Sequence, residues 1–364
     1  MTRIAAVRCA LPPFRYRQAE LTQKVAELSA VDGTRRKLLE RLHGNAGVQT
    51  RNTVLPLAEY GGMGGIGPTN DLYIEHATDL GEQAIRDALK AAGVAPGAVD
   101  LLIVTSVTGV AVPSIDARLI PRLGLRPDVK RVPIFGLGCV AGATGLARLH
   151  DYLRGWPGHT AVLLAVELCS LTLPVTEPTT PDLVASGLFA DGAVAVVARG
   201  DQAAELADAA AKATDGSCDD GPRVIATYGE IYPDSTDVLG WRLGEDGFRI
   251  VLTAELAEVV GEHILAGVTG FLASQGLTAA DISSWLCHPG GPKVIDAVQD
   301  NLGLPPAALA LTRRSLAEVG NMSSASVLHV LQQAIETDRP PPGSHGLMIG
   351  LGPGVSVELL LLQW

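Results

Sequence analysis

The chain repeats itself, and that constrains its fold more than any other feature. Residues 88–106 (ALKAAGVAPGAVDLLIVTS) and 271–288 (FLASQGLTAADISSWLCH) each read as a helix end, a glycine, a short turn and an apolar strand. Aligning Gly93 with Gly276 gives an offset of 183, which sets Val99 on Ile282 and Thr105 on His288. A second pair follows in the same order. GCVAGATGLARL at 138–149 lies over GNMSSASVLHVL at 320–331 with an offset of 182, half of the 364 residues, so Cys139 pairs with Asn321. In both copies small residues give way to apolar residues at helical spacing, from Ala143 to Leu153 and from Ala325 to Ile335. Two ordered matches at nearly one offset mark an internal structural repeat.

The strands of such a repeat are expected at 101–106, 161–167 and 346–352, where near-continuous apolar runs (LLIVTS, AVLLAVE, GLMIGLG) are what strands covered on both faces require. A layered α/β architecture follows. It divides into an N-terminal half at 1–200 and a C-terminal half at 223–364. Between them, residues 201–222 are Ala/Asp/Gly-rich and acidic, without a convincing apolar period, and read as a surface connector.

With 47% hydrophobic residues the chain can bury large cores, and its net charge of −11 argues against a nucleic-acid surface, which needs clustered Lys and Arg. An anionic ligand must meet a local basic patch. The five cysteines (Cys9, Cys139, Cys169, Cys218, Cys287) are scattered and never in CxxC spacing, so neither a disulfide framework nor a metal site is expected. That pattern fits a reducing cytoplasm. No signal peptide is expected at the start, and the apolar stretch at 160–175 is broken by Glu167, so no membrane span is expected either.

Three residues are placed for chemistry. Cys139 stands before a run of small residues that opens a helix, where backbone N–H groups favour a thiolate and a lowered pKa. The plain alternative is a buried structural cysteine. His288 closes an apolar strand before Pro289-Gly290-Gly291-Pro292, a strand end of the kind that carries catalytic groups in α/β proteins, or else a structural histidine. Asn321 is either a helix N-cap or a hydrogen-bond donor to reacting atoms. The repeat puts Cys139 and Asn321 at equivalent helix starts, and a pseudo-twofold packing of the halves would bring all three together. A thiol beside an imidazole and an amide suits acyl transfer.

GLGCVAGATG at 136–145, LFADGAVAVV at 188–197, CHPGGPKVIDAV at 287–298, GNMSSASVLHVL at 320–331 and GLGPGVSVELL at 350–360 together resemble the type III polyketide synthases, the family of the plant chalcone synthases. The resemblance spans nearly the whole chain. It is strongest to actinobacterial members that make alkylpyrones from long acyl starters, through GVAVPSIDARL at 109–119 and ELCSLT at 167–172. It implies a thiolase-like fold, with duplicated α/β halves in an αβαβα arrangement, and a homodimer. It also implies that Cys139 accepts the acyl chain, that His288 and Asn321 activate the thiol and assist malonyl decarboxylation, and that no cofactor beyond CoA thioester substrates is used. Phe189 resembles the aromatic gatekeeper between the CoA tunnel and the cavity, and Ser323 the serine beside the cavity. Glu167, Cys169 and Thr172 fall where the family places cavity-lining residues. On the helix TRRKLLERLHG at 34–44, Arg41 and, more weakly, Lys37 match the family's CoA contacts, or form a solvated helix face.

Ile250 stands where plant enzymes carry a second aromatic gatekeeper, and Cys169 replaces a threonine typical of the plant cavity. Both changes lead to the expectation of a more apolar pocket, medium to long aliphatic acyl-CoA starters, malonyl-CoA or a methylated relative as extender, and an alkylpyrone or alkylresorcinol product. An initiation-type ketoacyl-carrier-protein synthase would share the fold but resembles HQAN around its histidine, where this chain has HPGG. A cysteine hydrolase and a catalytically inactive scaffold of the same fold are the remaining readings.

Overall fold

The computed structural model describes residues 1–172, 178–213, 221–244 and 247–364, with side chains left aside at 212 and 213. The first half runs β1 (Thr2–Ala10), β2 (Phe14–Arg17), α1 (Gln18–Leu28), α2 (Gly33–Gly44), β3 (Thr50–Thr53), α3 (Ile66–Ala92), β4 (Leu101–Thr105), α4 (Ile115–Leu123), β5 (Lys130–Ile134), α5 (Ala141–Gly155), β6 (Thr160–Leu168), α6 (Thr180–Leu188) and β7 (Asp191–Gly200). After α7 (Asp201–Ala213) the second half runs β8 (Arg223–Ile231), β9 (Leu239–Gly244), β10 (Gly247–Leu252), α8 (Leu256–Ser274), β11 (Ile282–Cys287), α9 (Pro292–Asn301), α10 (Ala310–Val319), α11 (Ser324–Thr337), β12 (His345–Gly352) and β13 (Ser356–Gln363).

The repeat is written into the sheet order, β11-β12-β13-β8-β1-β7-β6-β4-β5. Reading outward from the β8/β1 junction, β8, β13, β12 and β11 mirror β1, β7, β6 and β4. The junction itself is narrow, pairing Thr2 with Val224 and Arg3 with Arg223. Only β5 lacks a counterpart; at its place in the second half the chain forms α10.

Helices cover the sheet in three layers. α3 and α4 pack on the outer face of the first half, with Ile85, Leu89 and Leu119 against Leu102, Leu164 and Val197. α8, α9 and α10 cover the outer face of the second half, with Val260, Ile264 and Ile295 against Leu347, Ile349 and Leu359. Between the halves lie α5 and α11, which share one core with inward residues of both, among them Leu146, Leu163, Val327, Met348 and Leu360. This is the αβαβα layering, and the three expected strands fall on β4, β6 and β12. α5 and α11 approach so closely that a methyl on Gly142 would run into the carbonyl oxygen of Ser324, well inside van der Waals contact.

The connector differs from its expectation in one respect. Residues 201–213 form α7, because Ala-rich sequence has high helix propensity and Ala203, Ala204, Ala207 and Ala211 recur at helical spacing on its inner side. The helix is anchored, with Ala204 buried and Asp208 paired with Arg3 of β1 at 2.7 Å. The rest of the segment up to residue 220, including Cys218, lies outside the described residues. Among the described residues one helix, α8, has the length and apolar content of a membrane-crossing helix; here its Val260, Ile264, Val268 and Phe271 are buried in the second core.

Because the clash at Gly142 involves backbone that cannot rotate away, Gly142→Ala should destabilise the fold by about 1–3 kcal/mol, the usual cost of overpacking. It should also depress turnover more than a remote mutation of equal cost, which thermal melts alongside activity assays will separate. Unchanged melting and activity would mean that the two helices are free to part.

Candidate active site

Cys139 sits in a single 3-10 turn, Gly138–Val140, that runs directly into α5. Gly138 has φ of +55°, and a Cβ there would lie 2.5 Å from Cγ of Pro353, so glycine is what lets the loop after β12 close over the turn. In the other half, Asn321 and Ser323 precede α11. Ser323 holds φ of +48°, a strained value for a residue with a side chain, and its N–H donates to Oδ1 of Asn321 at 2.9 Å. Ser326 Oγ donates to the same oxygen at 3.3 Å. With its oxygen occupied, the Asn321 amide is left with Nδ2 as its free hydrogen-bonding group, which only donates. The thiol of Cys139 donates to Ser323 Oγ at 3.4 Å, so the two helix starts meet through Cys139 and Ser323.

His288 follows β11 and is held by its N–H, which donates to the Ile349 carbonyl of β12 at 2.8 Å. The same strand continues through Gly350 and Gly352, which pack on Val140 beside the cysteine. The His288 side chain is buried, and its Nδ1 has no hydrogen-bond partner. No carboxylate or amide oxygen orients the ring, unlike a hydrolytic triad, in which a third group accepts that proton.

Burial pushes the Cys139 thiol up to about 12; the Ser323 hydrogen bond pulls it down and the Glu167 charge raises it further. The lowered pKa expected at a helix start is thus not what the structure gives, because the desolvation of a buried sulfur outweighs the backbone N–H groups. Burial likewise lowers His288 to about 3, so the imidazole is neutral at physiological pH. Glu167 is buried on β6, where desolvation raises its carboxyl to about 7 against the hydrogen bonds it accepts from Ser324 Oγ at 2.5 Å and the Val107 N–H at 3.0 Å.

A cavity of ≈ 20 Å³ is walled by Cys139, Cys169, Phe189, Ile250 and Ser323. Glu167 and Thr172 do not line it: the first is tied to the backbone behind it, and the second donates to the Cys169 carbonyl at 2.8 Å. Arg41 and Lys37 are exposed on α2, outside the cavity. Val107, Thr108, Trp241 and Pro353 also form its wall and were missed from the sequence. The repeat held a signal for the first two, since they follow β4 where His288 follows β11; Trp241 sits opposite Ile250 on the β9–β10 hairpin, which has no counterpart in the repeat. Val107, Trp241 and Pro353 also border an open groove of ≈ 560 Å³, so they form a wall common to cavity and groove.

The N-terminal and C-terminal models of the chalcone and stilbene synthases match residues 2–202 and 223–364. The chain belongs to the chalcone and stilbene synthase family. It is 51% identical, over all of its length and 93% of the relative's, to a 1,3,6,8-tetrahydroxynaphthalene synthase of Streptomyces peucetius. It is 32% identical, over all of its length and 94% of the relative's, to a 3,5-dihydroxyphenylacetyl-CoA synthase of Amycolatopsis orientalis. Among solved structures, the bacterial type III polyketide synthase from Streptomyces coelicolor that makes tetrahydroxynaphthalene superposes with a TM-score of 0.90 at 27% identity, covering 100% of this chain and 99% of that one. The protein is a type III polyketide synthase, an acyl-transferring condensing enzyme of thiolase-like fold.

Glu167→Gln removes a charge that raises the Cys139 thiol, so the variant's thiol should titrate lower. Alkylation by iodoacetamide between pH 7 and pH 10 should then run several-fold faster than in the wild type, since the rate follows the thiolate fraction. A slower or unchanged rate would mean that Glu167 does not act on the thiol electrostatically.

Proposed function

We propose that this synthase condenses malonyl-CoA units on Cys139 into a polyhydroxylated aromatic product of the tetrahydroxynaphthalene kind. What carries the reading is the 51% identity, over all of this chain, to a 1,3,6,8-tetrahydroxynaphthalene synthase; the ≈ 20 Å³ cavity beside Cys139, closed in by Phe189 and Ile250, has to widen for any polyketide chain to grow. The relatives' names agree, because the ten ring carbons of tetrahydroxynaphthalene carry no alkyl substituent and are what two-carbon additions alone supply. A second reading, the aliphatic acyl-CoA starter with an alkylpyrone or alkylresorcinol product, is favoured by the adjoining apolar groove, whose wall includes Ile66, Val110, Phe135, Leu243 and Phe248.

In the proposed mechanism the Cys139 sulfur attacks the starter thioester, forming an S–C bond as the CoA sulfur leaves with the proton relayed through His288. Malonyl-CoA then loses carbon dioxide, and the electron pair of the broken C–C bond becomes an enolate. His288 N–H and Asn321 Nδ2 donate hydrogen bonds to its oxygen. The enolate carbon attacks the Cys139 thioester, and the cysteine leaves and is reprotonated. Phe189 gates entry from the CoA side, where Arg41 and Lys37 of α2 meet the CoA phosphates. No cofactor takes part beyond the CoA thioesters.

Mass spectrometry of products from malonyl-CoA alone should give tetrahydroxynaphthalene or its oxidation product. Products that form only when a C10 to C16 acyl-CoA is added would favour the second reading instead. Cys139→Ala should lose the acyl adduct altogether. His288→Ala should lower malonyl decarboxylation by about two to three orders of magnitude, the usual cost of one oxyanion donor, while His288→Gln, which keeps an N–H, should recover part of it. Equal rates in the two variants would remove His288 from the donor role.

The synthase also works, in this reading, as a homodimer. The edge strand β5 is exposed along its length, and beside it Val112 is 91% exposed and Phe135 58%. The edge itself carries Lys130, Arg131 and Pro133, so it is the exposed apolar side chains beside it, Val112 and Phe135 with Val132, that invite a second copy. Val110 and Phe135 also line the groove, so a partner docked there would roof it. Val132→Glu, on the edge strand, should give a monomer by sedimentation velocity with reduced turnover; a dimer of wild-type affinity would place the interface elsewhere.

A further inference from the structure

The backbone that carries Phe189 is held from two sides. On one side it pairs with the catalytic turn: the Ala190 N–H donates to the Asn321 carbonyl and the Asn321 N–H to the Leu188 carbonyl, each at 2.9 Å. On the other side three polar side chains from the segment between β1 and α3 converge on the end of α6. Gln18 Nε2 donates to the Gly187 carbonyl at 2.8 Å, and Arg51 Nη1 donates to the Phe189 carbonyl at 2.6 Å. His43, on α2, is buried with both ring nitrogens engaged, Nδ1 with Thr22 Oγ1 at 2.8 Å and Nε2 with Ser186 Oγ at 3.1 Å.

His43 is the part of this clamp that spans elements. Thr22 belongs to α1 and Ser186 to α6, so the ring ties three helices together. Its fit is tight, since a Cβ on Gly187 would lie 2.7 Å from the ring. Burial, with the neighbouring Arg51 charge, holds the ring well below its ordinary pKa, at about 3, so it is neutral and owns a single N–H. Thr22 and Ser186 also reach helix carbonyls, of Gln18 and Leu183. One of the two hydroxyls must therefore turn to donate to the ring, which makes the connection directional. An apolar alternative of similar size would fill the space, as Leu39, Ala26 and Leu183 do alongside, but would not fix the position of Ser186 along α6.

We propose that His43 is a positioning residue for the reaction: by holding Ser186, with Gln18 and Arg51 holding the next carbonyls, it fixes where Phe189 stands over the cavity and thereby sets which acyl groups pass. This rests on the gating role proposed for Phe189. It also links α2, the helix proposed to meet CoA, to the gate, because His43 lies two residues from Arg41.

The test compares kcat/KM for a dodecanoyl-CoA starter with that for malonyl-CoA alone, together with melting temperature, in His43→Ala, His43→Gln, Ser186→Ala and Phe189→Leu, and in His43→Ala combined with Phe189→Leu. His43→Ala and Ser186→Ala should each change the selectivity ratio by about five-fold or more, in the direction that Phe189→Leu changes it. The double variant should fall short of additivity, as groups acting through one element do. His43→Gln, whose amide has both a donor and an acceptor, should restore at least part of the ratio. A lowered melting temperature with the wild-type ratio, or strictly additive effects, would make His43 merely structural. If His43→Ala does not fold, Ser186→Ala carries the test, since it removes one hydroxyl from the same contact. A Phe189→Leu variant with the wild-type ratio would overturn the gating role itself, whereas a changed ratio there and none in the other variants overturns only the proposal for His43.

Discussion

The approach of α5 to α11 at Gly142 and Ser324 is the contact on which the rest of the molecule depends. These two helices form the central layer, and each covers inward residues of both half-sheets, so their separation sets the spacing of the whole five-layer stack. Small residues at the contact, Gly142 and Ala143 on one side and Ser324 and Ala325 on the other, let backbone meet backbone. The turns that lead into the two helices are brought together by the same geometry, which is why a cysteine from one half meets a serine from the other. Helix packing and site assembly are one constraint, and a bulkier residue at Gly142 would violate both.

Around this duplicated frame, the features specific to the site are insertions. Between β1 and α3 the first half inserts β2, α1, α2 and β3; at the equivalent point, between β8 and α8, the second half inserts the β9–β10 hairpin. A third insertion, α6, lies between β6 and β7, where the second half has only the short turn between β12 and β13. The hairpin supplies Ile250 and Trp241 to the cavity, α6 ends at Phe189, and the first insertion supplies Gln18, His43 and Arg51 behind it. The frame carries Cys139, His288 and Asn321, the proposed nucleophile and donors, while the insertions supply other walls of the cavity.

That division also explains what was legible in the sequence. The repeat, the strands at β4, β6 and β12, the helices α5 and α11, and the meeting of Cys139 with the Asn321 turn could all be read, because strands covered on both faces and helices with one apolar face leave a regular pattern. The insertions follow no such pattern. Trp241 was missed because nothing in a lone hairpin tells which of its faces looks inward, and α7 because a stripe made only of alanines stands out little within an alanine-rich segment. Ile250, Phe189, Cys169 and Ser323 were found by resemblance, and all four line the cavity. The same resemblance offered Thr172 and Glu167 as lining residues, yet one is folded back on its own turn and the other lies behind the wall. Position along a strand does not tell which way a side chain finally turns when its neighbours offer it hydrogen bonds.

The pKa of Cys139 was misjudged for a related reason. A helix start favours a thiolate in proportion to the N–H groups that reach it, but the burial of Cys139 is a property of the assembled halves and is invisible in either. Burial pushes the thiol and the His288 imidazole both toward their neutral forms. Two opposite charges made together offset much of each other's burial. In the proposed cycle the negative charge then leaves sulfur for a thioester oxygen, and later for an enolate oxygen, where neutral N–H donors receive it. A site that kept a permanent thiolate would also expose it to wasteful alkylation and oxidation between turnovers. In the proposed mechanism, burying both groups in their neutral forms ties ionisation to the arrival of a substrate able to accept the charge, and Phe189 stands in the wall that substrate has to pass.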